Sequence, residues 1–165
     1  MDAILSRRSI RKFTAREVST DAVEYLLRAA MSAPSAGNQQ PWHFVIIRDR
    51  ATLDRISTIH QYAAMMKEAP VAILVCGDLE LEKNEGFWIQ DCSAATENIL
   101  IAAESRGLGA VWVGIYPRNN VDAFQQLFNL PGSVIPLSIV AVGWPGEKKS
   151  PADRYEKSRI HHEKW

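Results

Sequence analysis

The stretch Asn84-Glu-Gly-Phe-Trp88-Ile-Gln-Asp-Cys92-Ser-Ala-Ala95-Thr-Glu-Asn-Ile99-Leu-Ile-Ala102-Ala-Glu-Ser-Arg106-Gly107 sets the frame for the whole chain. Trp88, Cys92, Ala95, Ile99 and Ala102 recur at alternating steps of four and three, the spacing of one helical face. Phe87, Ile89, Ala94, Leu100 and Ile101 fall on other faces, so a helix over 84–106 is apolar, and must be covered, most of the way round. In a small domain a second copy of the protein covers such a helix most simply. That predicts a dimer with the helix, Ala95 included, at its seam. Gly107 stands where a left-handed residue ends a helix.

Shorter periodic segments surround this one. Ser19 precedes Val23, Leu26, Leu27 and Ala30, an N-cap followed by one apolar face, and Pro34 stops a helix over 19–33. The runs His43 to Ile47, Val71 to Cys76 and Ala110 to Val113 read as strands. Val134 to Val142 reads as another, its Pro136 pointing to an edge or a strand start. Asn120 is expected to cap a short helix through Phe128, and a short N-terminal helix precedes the extended residues 14–18. Helices and strands interleave without strict alternation, which predicts an α+β fold, a mixed sheet flanked by helices, in one domain over 1–165.

Composition narrows the function classes. The 165 residues carry 19 Lys+Arg against 19 Asp+Glu, with 47% hydrophobic and 23% charged residues. That apolar content excludes a disordered chain, and zero net charge leaves no cationic surplus for a nucleic-acid duplex. No apolar run approaches the ~18 residues of a membrane span. The start lacks the order of a secretory signal and only Cys76 and Cys92 occur, so a cytoplasmic, disulfide-free protein is expected. His60, His161 and His162 lack ligand spacing, and no metal is predicted.

Two polar motifs carry chemistry. Arg7, Arg8, Ser9 and Arg11 place three guanidiniums and a hydroxyl within five residues, donors suited to an oxyanion, although a solvated basic turn has the same composition. Pro34, Ser35, Ala36, Gly37, Asn38, Gln39, Gln40 and Pro41 form an uncharged polar loop suited to the edge of a neutral heterocycle or to a polyol, with ordinary turn chemistry as the alternative.

Taken in order, Arg7-Arg8-Ser9-x-Arg11-x-Phe13, Pro34-Ser35-x-x-Asn38-x-Gln40-Pro41-Trp42, Gln90-Asp91-Cys92-x-x-Ala95-x-x-Asn98-Ile99-Leu100 and Gly107-Leu-Gly-Ala-Val-Trp-Val-Gly114 resemble the nitroreductase family of FMN-dependent oxidoreductases. The resemblance spans nearly the whole chain and is to the short branch, ending soon after Gly143-Trp144-Pro145 and a basic tail. It implies an intertwined homodimer with two FMN molecules at the interface. Arg7 and Ser9, with Arg8 nearby, would hold the phosphate and ribityl chain. Arg11 would face the N1/O2 edge of the flavin, where a fixed cation offsets the negative charge left by reduction. Pro34, Ser35, Ala36, Asn38 and Gln40 would come from the partner chain. Gly114 and Ile115 match the strand end whose backbone N–H faces flavin N5, and Arg154 matches a C-terminal cation that closes on the phosphate, with Lys148 or Lys149 as helpers.

The activity implied is hydride transfer from NADH or NADPH through the flavin to a small acceptor such as a nitroaromatic or a quinone. The chemistry would sit on the flavin, with no catalytic side chain. A flavin carrier or redox sensor without turnover is the alternative.

Overall fold

The computed structural model describes residues 2–117 and 120–165. Four strands, β1 (Trp42–Ile47), β2 (Val71–Asp78), β3 (Gly109–Gly114) and β4 (Val134–Gly143), form one sheet in the order β1-β2-β4-β3. The helices are α1 (Ala3–Ser6), α2 (Thr20–Met31), α3 (Arg50–Ile59), α4 (Trp88–Ser105) and α5 (Val121–Phe128).

Both faces of the sheet are covered, so β2 reads as an unbroken apolar run. Val71, Ile73 and Val75 point into a cluster with Leu26 and Ala30 of α2 and Cys92, Ala95 and Ile99 of α4. The alternate residues Ala72, Leu74 and Cys76 point the other way, to Leu53 and Ile56 of α3, Met66, and Phe124 of α5. The α+β class stands. The sheet is not mixed, however: its three strand pairs are antiparallel, and the parallel element is a bridge between Ser9 and Ala110.

Several local expectations change for physical reasons. Strand β4 lies inside the sheet, yet its pairing with β3 stops at Ser138, so Pro136 faces only Cys76, beside a register shift in β2. A missing N–H costs little there. Helix α4 starts at Trp88, because Gly86 takes φ +84° and the Glu82 carboxylate accepts the Trp88 N–H at 3.0 Å. Asn120 caps nothing with its side chain, which donates instead to the Ile59 carbonyl at 2.6 Å. Helix α3 is an addition to the expected elements, although Asp49, whose carboxylate accepts the Thr52 N–H at 2.8 Å, with Leu53 and Ile56 behind it, supplies a cap and a face.

The seam assignment of Ala95 is also corrected. Ala95 is fully buried in its own chain's core, because the sheet and α2 cover that side of α4. The half-exposed stripe is Ser93, Ala94, Glu97 and Ile101. Ser19 and Gly107 behave as expected: the Ser19 hydroxyl accepts the Ala22 N–H, and Gly107 at φ +70° lets Leu108 N–H return to the Ala103 carbonyl.

Close packing of α4 on β2 makes Gly77 obligatory, since a Cβ there would stand 2.4 Å from Cε3 of Trp88. Gly77→Ala is expected to destabilise the fold by about 1–3 kcal/mol, the range for forcing volume into a packed core. A lowered denaturant midpoint measures it; an unchanged midpoint would mean that Trp88 is free to move.

Candidate active site

The basic segment continues the sheet beyond its edge. The Ile10 N–H donates to the Ala110 carbonyl at 3.0 Å, laying residues 9–10 along the outside of β3. The turn after β4 then clamps the next few residues of the segment. Thr14 N–H donates to the Trp144 carbonyl and Gly146 N–H to the Lys12 carbonyl. The Glu147 carboxylate accepts the N–H groups of Arg11 at 2.7 Å and Lys12 at 3.3 Å, and pairs with Lys149 Nζ at 3.0 Å. Lys149 also donates to the Ser9 carbonyl at 2.7 Å. The Arg11 N–H, then the Lys149 ammonium, hold Glu147 below the ordinary carboxylate range.

The four arginines differ in what they leave free. Arg7 uses Nε on Glu97, at 3.2 Å, which leaves its two terminal nitrogens for a ligand. Arg8 spends its donors on the carbonyls of Ser150, Arg7 and Leu5, stitching the chain's two ends together. Arg154 lines a hollow of about 440 Å³ with Arg7, Arg8, Leu5 and Tyr155. The Arg11 guanidinium has no partner among the described residues and lines a second hollow, of about 470 Å³, with His60, Tyr62, Met65, Trp112 and Gly114.

Gly114 and Ile115 close β3 in different ways. Ile115 is fully buried and its N–H donates to the Leu137 carbonyl at 2.9 Å. Alternation along an antiparallel ladder therefore turns the Gly114 N–H and C=O outward, off the open edge. That carbonyl meets Nε2 of His60 at 2.9 Å.

The polar loop sits elsewhere. Asp91, buried in the first turn of α4, accepts the Ala36 N–H at 3.0 Å and the Gln39 side-chain amide at 2.7 Å. The Gln39 carbonyl oxygen accepts the Lys83 and Asn84 N–H groups. Ser35 Oγ accepts the Gln40 N–H, and Gln40 donates to Asn38, both of the latter residues in left-handed backbone. Pro34, Asn38 and Gln40 are exposed. The loop is thus a preformed shelf, held by Asp91 from outside and by turn bonds of Ser35, Asn38 and Gln40 within.

One chain keeps the two motifs apart. Arg7 is anchored at Glu97, six residues or about 9 Å along α4 from Asp91, and Arg8 and Lys149 share a hollow with Glu104, 13 residues or about 20 Å from it. Arg7, Arg8 and Arg154 come together, as do Arg11 and Gly114, while residues 34–40 join neither group. Sequence reading missed Asp91, Gln39, Glu147 and His60 as the residues that hold these pieces. The two cysteines take no part: burial pushes the Cys76 thiol up to about 12 and Cys92 up as well. No cluster of potential metal ligands occurs among the described residues, and no helix there is long and apolar enough to cross a membrane.

Comparison with known proteins gives one consistent result. The profile of the nitroreductase family matches residues 4–61 and 58–144. A provisionally named NADH dehydrogenase/NAD(P)H nitroreductase from Methanothermobacter thermautotrophicus is 50% identical over 166 residues, covering 100% of this chain and 87% of its own. The crystal structure of a provisionally named NADH oxidase from Clostridium acetobutylicum, 43% identical, superposes with a TM-score of 0.97 over 99% of this chain and 100% of its own. A provisionally named nitroreductase from Desulfovibrio desulfuricans, solved in complex with FMN and 33% identical, gives 0.85 over 99% and 95%.

The Glu147 clamp has a pH signature. A carboxylate held below its ordinary value of 4.5 stabilises the fold above that value and loses the contribution as pH falls through the lowered one. Glu147→Gln is therefore expected to unfold at lower urea than the native chain at pH 7, with the gap closing below pH 4.5. A gap independent of pH would assign the clamp to shape rather than charge.

Proposed function

The chain belongs to the nitroreductase family, and on that premise we propose that two copies bind two FMN molecules between them and reduce small acceptors with NADH or NADPH. It is an enzyme, an FMN-dependent NAD(P)H oxidoreductase. Nitroaromatics and quinones are the acceptors expected of it.

The observation that carries the reading is the second hollow, where the Arg11 guanidinium, without a partner among the described residues, and the open Gly114 edge line one space. A Cβ on Gly114 would meet nothing within 4 Å, so a flat ring can approach the backbone there. The donor set fits FMN: cations for a terminal phosphate at both chain ends, a lone cation, a backbone N–H at a strand end, and an uncharged shelf for a heterocycle edge. FMN supplies the chemistry when bound, taking a hydride from the reduced nicotinamide and passing electrons to the acceptor.

In this reading the terminal nitrogens of Arg7, with Ser9 and Arg154, take the phosphate and ribityl chain. Arg8 serves as the brace that brings residues 150–154 to them. Arg11 lies at N1/O2, where its charge favours the reduced ring. The Gly114 N–H faces N5, because the Ile115 N–H is already used by Leu137. Pro34, Ser35, Ala36, Asn38 and Gln40 reach the flavin from the partner chain, which the distance between the two motifs on one chain supports. No side chain is needed as acid or base.

The purified protein is expected to be yellow and to oxidise NADH or NADPH in the presence of menadione. Failure to take up FMN would contradict the reading, and FMN uptake without NAD(P)H oxidation would favour a carrier. Arg11→Ala is expected to lower the midpoint potential of the bound flavin by about 20–40 mV, equivalent to ~1–2 kcal/mol for a two-electron couple. An unchanged potential in potentiometric titration would remove Arg11 from the N1/O2 edge.

A further inference from the structure

We propose that His60 is a positioning residue for flavin binding, fixing the end of β3 so that the Gly114 N–H stays aimed at the cofactor; this rests on the reading of the site given above. Along β3, alternate residues face β4 and the outside. Outside, the Ala110 carbonyl is met by the Ile10 N–H, and the Gly114 carbonyl is met by Nε2 of His60 at 2.9 Å. Between those two points the edge is open to the hollow that Trp112 and Arg11 line. Gly114 has no side chain to pack and closes the strand. Its conformation is therefore checked by Leu137 on the inside, through the N–H of Ile115, and by His60 on the outside.

The imidazole is built to do this. His60 is only 4% exposed. Its Nδ1 accepts the Tyr62 N–H at 3.2 Å, and a carbonyl faces Nε2, so the neutral ring with hydrogen on Nε2 satisfies both contacts. The Phe124 ring stands edge-on at 6.3 Å and fixes the ring plane. The backbone beneath is tied as well: His60 N–H closes α3 on the Ile56 carbonyl, and Asn120 of the α5 start holds the Ile59 carbonyl. A lone polar ring carried at the end of one helix, wedged by another, thus holds a strand end at the site from outside the sheet. Apolar packing explains none of the directional contacts.

Two substitutions separate the bonds. The amide of His60→Asn stands where Nδ1 stands, so it keeps the Tyr62 contact and falls short of Gly114. The longer His60→Gln places its amide nitrogen where Nε2 stands and restores that reach. FMN affinity by fluorescence quenching, the midpoint potential of bound flavin and the melting temperature are measured on both and on the native chain. His60→Asn is expected to bind oxidised FMN about tenfold more weakly, the scale of one lost hydrogen bond. Its midpoint potential should rise, since N5 accepts a hydrogen bond when oxidised and carries its own hydrogen when reduced. His60→Gln should lie near native values in both. Equal binding by all three, or affinity and melting temperature falling together in both variants without recovery in His60→Gln, would overturn the proposal. A native protein that takes up no FMN would fail earlier, at the site itself, and remove the proposal with it.

Discussion

The burial of α4 across one face of the sheet separates the two halves of the recognition surface. Its first turn holds the uncharged shelf through Asp91, its middle holds Arg7 through Glu97, and the cationic cluster of Arg8 and Lys149 gathers near Glu104. The helix is packed against β2, β4 and α2 with Cys92, Ala95 and Ile99 in the core, so it cannot bend to bring those ends together. In the proposed reading the phosphate grip comes from one chain and the heterocycle edge from the other. The half-exposed stripe of α4 beside the exposed Ile4 and Leu5 of α1 offers the surface on which a second chain can sit.

A second constraint is the treatment of the sheet edge. An exposed edge strand invites pairing with other chains, and proteins usually cover it. Here β3 is met at one end by residues 9–10 and at the other by the His60 ring on the Gly114 carbonyl, with the edge open between them and no side chain on Gly114. The Glu147 carboxylate keeps the covering segment in place by taking two consecutive N–H groups, which also fixes where Arg11 leaves the backbone. The same basic residues therefore divide their work, Arg8 and Lys149 bonding the chain to itself while Arg7, Arg11 and Arg154 keep donors for a ligand.

Much of this was legible in the sequence, where local chemistry decides the outcome. The Val71 run and the Ser19 cap are read from neighbours a few residues apart, and the basic segment after α1, the polar loop after α2 and Gly114 at the end of β3 lie where the sequence puts them. What failed depends on distant partners. Ala95 reads as interface only if the helix lacks cover, and the cover comes from strands and α2, which periodicity within α4 cannot reveal. Asp91 stands in the sequence only as part of a motif, with no role of its own, because its partners Ala36 and Gln39 lie 55 and 52 residues away. His60 reads as a stray histidine until the strand 54 residues later brings a carbonyl to its ring. Of the two readings of Pro136 the edge fails and the strand start holds: it is the third residue of β4, ahead of the point where pairing with β3 begins.

The central claim, that each cofactor site is built from two chains, is tested most directly by subunit complementation. One variant loses the cationic half (Arg7→Ala with Arg11→Ala) and the other loses the shelf (Asn38→Ala with Gln40→Ala), and each alone should hold no FMN. Unfolded together and refolded as a mixture, they should form heterodimers in which one of two sites has both native halves. The account predicts recovery of about one quarter of native FMN binding for random pairing. No recovery in a mixture shown to contain heterodimers would mean that a single chain supplies both halves, and the two-chain site would be wrong.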